Sequence, residues 1–291
     1  MKLGVLTSGV SQDLERALDM IRADGFRHVE IQFAWGREDG GRSEEQEARI
    51  RELLQQYGVT CTAVMRNTFS GLSLETTDQS TPAYQQALRA FRGTVELAQA
   101  YGCRLTRVNS FARQQVVFGY GGAEHHLSGG NRAWVKFLRL MEPVCQTAQD
   151  EQTDVMIETG TNGFLHTAAL MRKALDDLGC GRLYALWDPA NCLYAGERPY
   201  PEGYEALRGK IAEIHIKDLR FRRELAEVTY CPVGDGAMAP YLEPLANILR
   251  REKYSGGVIL ENQVTPPGGT EADGYRLSAP VFRRIFQPIV E

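Results

Sequence analysis

Strand-like and helix-like segments alternate along the whole of this 291-residue chain, and that rhythm limits its fold more than any other feature. Residues 3–7 read as a strand. Ser11 to Ala23 reads as a helix, with Ser11 as N-cap and Leu14, Ala17, Leu18 and Ile21 on one face. His28 to Phe33 and Ser43 to Tyr57 repeat the pair. Val59 to Met65 is an apolar, β-branched third strand. Thr81 to Tyr101 follows as a long helix with Pro82 in its first turn, where the missing N–H costs nothing. Arg104 to Val108 and Asn131 to Asp150 form the fourth pair. Four more strands end at Glu158, Asp188, His215 and Glu261, followed by helices near 165–178, 202–208, 240–252 and 278–287. A crossover helix forces the strands on either side of it to run parallel. Eight such units predict an α/β chain closed into a (β/α)8 TIM barrel, one domain over residues 1–291. The rival is an open doubly wound sheet. It calls for a Gly-x-Gly-x-x-Gly turn after the first strand, and Ser8-Gly9-Val10-Ser11 does not supply one.

The four later strand ends carry the chemistry. Val155-Met156-Ile157-Glu158, Ala185-Leu186-Trp187-Asp188, Ile211-Ala212-Glu213-Ile214-His215 and Val258-Ile259-Leu260-Glu261 are apolar runs that each stop at a metal-binding residue type. Consecutive parallel strands deliver such residues to one rim of a barrel, where they can surround one point. Three carboxylates and one imidazole make a hard, oxygen-rich set. It suits one divalent ion, Mn²⁺ first, with Mg²⁺, Co²⁺, Zn²⁺ or Fe²⁺ as alternatives. No thiolate takes part, which argues against a structural zinc site. The competing reading is a ring of rim carboxylates salt-bridged to Lys217 and nearby arginines. Alternation points Trp187 away from the axis, into packing.

Composition removes several function classes. The net charge is −4 and the pI about 5.8, so no basic excess is present to neutralise phosphates, and nucleic acid is not the expected partner. No apolar run reaches the roughly 20 residues needed to span a bilayer, and no membrane partner is expected. The start, Met-Lys-Leu-Gly-Val-Leu-Thr, lacks a signal-peptide pattern. The six cysteines form no C-x-x-C pair and read as free thiols of a cytoplasmic protein.

Two connections are long. Asn109 to Gly130 holds Phe118-Gly119-Tyr120-Gly121-Gly122 and His125-His126, and Asp218 to Pro240 holds Arg220, Arg222, Arg223 and Gly234-Asp235-Gly236. Both follow strands, and they read as lids over a small substrate or as solvated loops. The three arginines suit a phosphate clamp or a subunit contact. Glu30 reads as lining the barrel mouth or as one half of a structural ion pair.

Glu158-Thr-Gly, Trp187-Asp188-Pro189-Ala190-Asn191, His215-Ile216-Lys217-Asp218, Gly234-Asp235-Gly236 and the final Gly257-Val-Ile-Leu-Glu261 together resemble the sugar isomerase/epimerase superfamily with the xylose isomerase-like barrel. The resemblance is strong over about 150–265 and rests on the strand–helix rhythm before that. It implies a divalent metal held by Glu158, Asp188, His215 and Glu261, with Glu158 and Glu261 also serving as acid and base on opposite faces of a bound sugar. One glutamate removes a proton beside a carbonyl and the other can return one, through an enediolate. The implied reaction is isomerisation or epimerisation of a small keto-sugar or polyol derivative, by a homodimer or homotetramer. Asn109, Asn191, Lys217 and Arg222 are the expected substrate contacts, with Asn191 alternatively a turn residue after Pro189 and Lys217 alternatively paired with Asp218 or another rim carboxylate.

Two positions depart from better-known branches. Tagatose-type epimerases and AP endonucleases carry a histidine three residues after the aspartate, where this chain has Asn191. With five histidines in all, a nuclease-type zinc cluster cannot be assembled. Tagatose-type epimerases also carry an arginine six residues after the metal histidine, where this chain has Phe221 between Arg220 and Arg222. The His-x-Lys-Asp sequence is closer to inosose dehydratase-like branches. A lyase acting on an inosose or a 3-keto-glycoside is therefore the alternative, and a sugar-binding subunit without activity is a third reading.

Overall fold

Eight parallel strands close on themselves in chain order: β1 (Lys2–Leu6), β2 (His28–Ile31), β3 (Thr60–Val64), β4 (Leu105–Asn109), β5 (Asp154–Glu158), β6 (Leu183–Trp187), β7 (Ile211–Ile216) and β8 (Gly257–Leu260). The computed structural model describes residues 1–38, 41–113 and 133–287. Closure comes from β1 pairing with β8, Lys2 opposite Gly257 through Val5 opposite Leu260. The expected (β/α)8 barrel is the fold.

Helices α1 (Leu14–Ala23), α2 (Glu44–Gln56), α3 (Pro82–Ala100), α4 (Ala133–Asp150), α5 (Ala168–Leu178), α6 (Pro189–Tyr194), α7 (Tyr204–Leu207), α8 (Ala239–Arg251) and α9 (Glu271–Phe286) lie between and after the strands. Ser43 and Gln46 form a reciprocal capping box on α2. Helix α1 differs from expectation. Asp13, not Ser11, is its N-cap and accepts from the Arg16 N–H at 3.1 Å, while the Ser11 hydroxyl accepts from the Asp13 N–H. Helix α9 begins at Glu271 rather than near 278, because Thr270 and Asp273 cap each other there. Among the described residues no helix is long and apolar enough to cross a membrane.

Alternation along the strands divides the core in two. Leu6, Ala63, Met65, Met156, Leu186 and Ile259 fill the barrel interior. A larger apolar layer, including Trp187, Phe137 and Leu245, packs the strands against the helices. Met156, Leu186 and Ile259 each stand two residues before a candidate ligand. The ligand side chains therefore sit one pleat above the inner apolar layer, on the same inward face. Trp187 points outward and is fully buried, its ring 6.3 Å from Tyr204.

The segment from Asp218 is not the expected irregular loop. Asp218–Arg222 and Glu227–Cys231 pair as an antiparallel hairpin beside the rim. The glycine-aromatic and His125-His126 stretch of the other long connection lies outside the described residues.

Candidate metal centre and active-site cleft

The strand ends bring Glu158, Asp188, His215 and Glu261 together. One ligand atom from each lies within 4.8 Å of the others, and all four side chains are buried. Each is positioned by its own local device. Glu158 ends β5, and its Oε2 accepts from Arg107 Nη1 at 2.7 Å and from Asn109 Nδ2 at 3.5 Å. Asp188 follows β6 and is also the N-cap of α6, with Pro189 in the first turn. Its Oδ1 accepts from the Asn191 backbone N–H at 3.1 Å. Its Oδ2 faces the site and accepts from Asn191 Nδ2 at 2.8 Å. The Asp-Pro-Ala-Asn sequence is thus a capping motif that locks the aspartate rotamer. Asn191 spends the rest of its amide on the Thr159 carbonyl and the Thr161 hydroxyl.

His215 lies near the end of β7. Its Nε2 is 2.8 Å from Glu30 Oε2, and both side chains are fully buried. Its Nδ1 faces the carboxylates, 3.4 Å from Glu261 Oε2 and 3.9 Å from Glu158 Oε1, and has no hydrogen-bond partner. Glu261 accepts from Gln263 Nε2 at 2.9 Å and from Lys217 Nζ at 2.7 Å. Lys217 Nζ also lies 2.6 Å from Asp188 Oδ2.

Charges set the protonation states. Burial alone would lower the His215 pKa, but Glu30 and Glu261 outweigh it and hold it well above the ordinary value. Lys217 is likewise buried yet held well above its usual range by Asp188 and Glu261. Burial would raise the Glu261 carboxyl, but Lys217 and His215 hold it well below the usual carboxylate value. Burial pushes Asp188 up to about 6 against the pull of Lys217. Such a concentration of buried carboxylates calls for cationic charge.

The residues fit a divalent ion. A buried imidazole nitrogen without a partner, aimed at three carboxylates and held from behind by a fourth, is the arrangement of a metal-ligating histidine with its supporting carboxylate. Glu158, Asp188, His215 and Glu261 could hold the ion.

A cleft of about 560 Å³ opens above this point, within the usual range of small-molecule sites. Asn109, Asn191 and Lys217 line it with Glu158 and Glu261. Asn109 Oδ1 is buried and unpartnered. Arg222 is not brought here. It sits on the hairpin, 61% exposed at the side chain, and pairs with Glu227. The three arginines do not converge as a clamp either: Arg220 donates to the Asp235 carbonyl and Arg223 to the Leu193 and Tyr194 carbonyls. A larger cavity of about 750 Å³ opens at the opposite end of the barrel, around Lys2, Cys103 and Gly257. The four candidate ligands are not among its lining, so the smaller cleft is the candidate site.

Several residues of the site escaped the sequence reading. Arg107 is buried, braces Glu158 and also donates to Asn67 Oδ1 at 2.9 Å. A charged residue inside an apolar strand, two positions before Asn109 on the same face, was the signal for it. Gln263 and Tyr230 carry no comparable signal. Tyr230 reaches the cleft because the hairpin folds over it, its ring 5.8 Å from Lys217 Nζ.

Comparison with known proteins agrees with the fold. The family model for the xylose isomerase-like TIM barrel matches residues 18–285. No curated protein matches the chain in sequence. Among solved structures it is similar to 3-keto-D-glucoside 4-epimerase from E. coli, at 16% identity over 98% of this chain and 99% of that one, with a TM-score of 0.72. It is also similar to the probable 3-DHS dehydratase of petrobactin synthesis from Bacillus anthracis, at 12% identity over 100% of both chains and a TM-score of 0.71. A D-psicose 3-epimerase matches at 16% identity over 99% of this chain and 100% of that one, with a TM-score of 0.69. At these identities the three structures show a shared fold. With the family model spanning most of its length, the chain belongs to the xylose isomerase-like TIM-barrel family.

Proposed function

We propose that this chain is a divalent-metal-dependent sugar isomerase or epimerase, acting beside the carbonyl of a small keto-sugar or polyol derivative. The observation that carries the reading is the convergence of four buried ligand-type side chains, two of which (Glu158 and Glu261) line a sugar-sized cleft, with His215 Nδ1 turned toward the carboxylates and unpartnered among the described residues. A divalent ion bound there would supply Lewis-acid stabilisation of negative charge developing on substrate oxygens, and the oxygen-rich donor set with one imidazole suits Mn²⁺ first, with Mg²⁺, Co²⁺, Zn²⁺ or Fe²⁺ as alternatives.

The remaining work belongs to side chains. Glu158 and Glu261 come from different strands and both line the cleft. One takes the proton from the carbon beside the carbonyl, and the other returns a proton to the resulting enediolate. Glu261 is held ionised by Lys217 and His215. Arg107 fixes the direction of the Glu158 carboxylate. Asn109, with its free Oδ1, accepts from a substrate hydroxyl. Asn191 acts through Asp188, which it orients.

Lys217 favours a second reading. A buried ammonium beside Glu261 at the cleft wall can protonate a departing hydroxyl, which turns the same proton abstraction into loss of water. The experiment is incubation of Mn²⁺-loaded protein in deuterated water with a panel of ketoses and inososes. Deuterium at the carbon beside the carbonyl is the expected result. An epimer or isomer supports the first reading, and an ultraviolet-absorbing enone supports the second. Glu158→Gln and Glu261→Gln should each lower exchange by roughly 10²-fold or more. Unchanged exchange in either variant contradicts the assignment.

A further inference from the structure

A separate cavity of about 630 Å³ lies outside the barrel against α2 and α3. Arg42, Arg51, Arg66 and Arg89 line it. No residue lines both this cavity and the active-site cleft, although the two share a wall. Arg42 Nη1 donates to the carbonyl of Gln32, whose residue lines the cleft, and the Arg66 carbonyl accepts from Arg107 Nε.

Three features of this cavity lack a structural explanation. The Arg42 side chain is fully buried and bonds Glu47 Oε1 through Nε at 2.9 Å, yet its Nη2 has no partner among the described residues. A buried guanidinium N–H left open is rare and needs an acceptor. The other Glu47 oxygen accepts from the Tyr101 hydroxyl. Arg51 and Arg89 are exposed and form no ion pair among the described residues, although Glu44 and Glu96 also border the cavity. Gly93 stands inside the 19-residue helix α3 and faces the cavity, where a Cβ would meet no heavy atom within 4 Å. A mid-helix glycine costs stability, and no packing contact demands this one.

We infer that this cavity binds a phosphorylated small molecule. Its phosphoryl group is held by Arg51 and Arg89 at the edge of Arg42, and its organic body lies over the bare backbone at Gly93 with Ala90 and Leu97. Guanidinium groups match phosphate oxygens in both charge and geometry. The cavity is also too large for inorganic phosphate alone.

The test is calorimetric titration of the full-length protein with ribose 5-phosphate and with ribose. Ribose 5-phosphate should bind at one site per chain and ribose should not. The Arg51→Gln/Arg89→Gln double variant, changed at exposed positions, should lose at least tenfold in affinity. Glu261→Gln should keep full affinity, because the active-site cleft is not involved. Absence of ribose 5-phosphate binding at millimolar concentration overturns the inference. So does undiminished affinity in the double variant, or loss of binding in Glu261→Gln.

Discussion

Glu30 shows how far the centre reaches beyond its four candidate ligands. It stands 185 residues before His215 in the chain, yet its carboxylate meets the imidazole Nε2 at 2.8 Å in a fully buried pair. A carboxylate in that position fixes which nitrogen faces the ion and raises the basicity of the ligand. Glu30→Gln should weaken Mn²⁺ affinity by about 10–100-fold while leaving a folded protein. Affinity measured by titration and unchanged in that variant would contradict the role. The four ligand-type residues were legible in the sequence because each ends an apolar strand. Their supports were legible only in part. Glu30 acquires its role through a partner far along the chain, and Gln263 sits in a segment without periodic pattern. Arg107 was legible in principle, as a charge inside an apolar strand. Asn191 was read as a turn residue or a substrate contact, whereas its amide is committed to holding Asp188. Arg222, expected at the substrate, is carried outward by the hairpin.

At the scale of elements, the hairpin at Asp218–Cys231 is the main difference from expectation. Its strands, Asp-Leu-Arg-Phe-Arg and Glu-Val-Thr-Tyr-Cys, alternate polar and apolar residues, so the hairpin was legible in principle. Its anchor is Asp218, whose carboxylate accepts backbone N–H groups from Leu219, Gly234, Gly236 and Met238. Gly236 is required there, since a Cβ would fall 2.3 Å from Asp218 Oδ1. The Gly-Asp-Gly sequence is therefore a loop folded around a buried carboxylate. Asp218→Ala leaves those donors without an acceptor and should cost about 1–3 kcal/mol, read as a lower unfolding midpoint in denaturant. Because Tyr230 rides on the hairpin, the same variant should raise the KM for whichever sugar exchanges deuterium. Wild-type stability and KM in this variant would contradict the anchoring role. Helix starts differ from expectation for another reason. The short helix after Asp188 and the true start of α9 at Thr270 are written in capping residues rather than in apolar periodicity.

At the scale of the whole molecule, the barrel was legible because few topologies accept eight strand–helix units in one chain. Closure then dictates function's place. Inward-facing positions two residues apart build an apolar floor of Met156, Leu186 and Ile259, and the ligand-type residues stand directly above it. Substrate identity was not legible, since the cleft wall comes from loops and from the hairpin rather than from the periodic elements. The barrel's buried cluster of three carboxylates is held in part by Lys217 and by the raised proton affinity of His215. A divalent ion binding the folded chain should stabilise it by about 2.7 kcal/mol at a free concentration 100 times its dissociation constant. The most direct test of the centre is calorimetric titration of metal-depleted protein with Mn²⁺, run beside the Asp188→Ala and His215→Ala variants. The structure predicts one ion per chain in the wild type and at least a hundredfold weaker binding in each variant. No binding by the wild type, or equal binding by variants shown to be folded, would contradict a metal centre at these four strand ends.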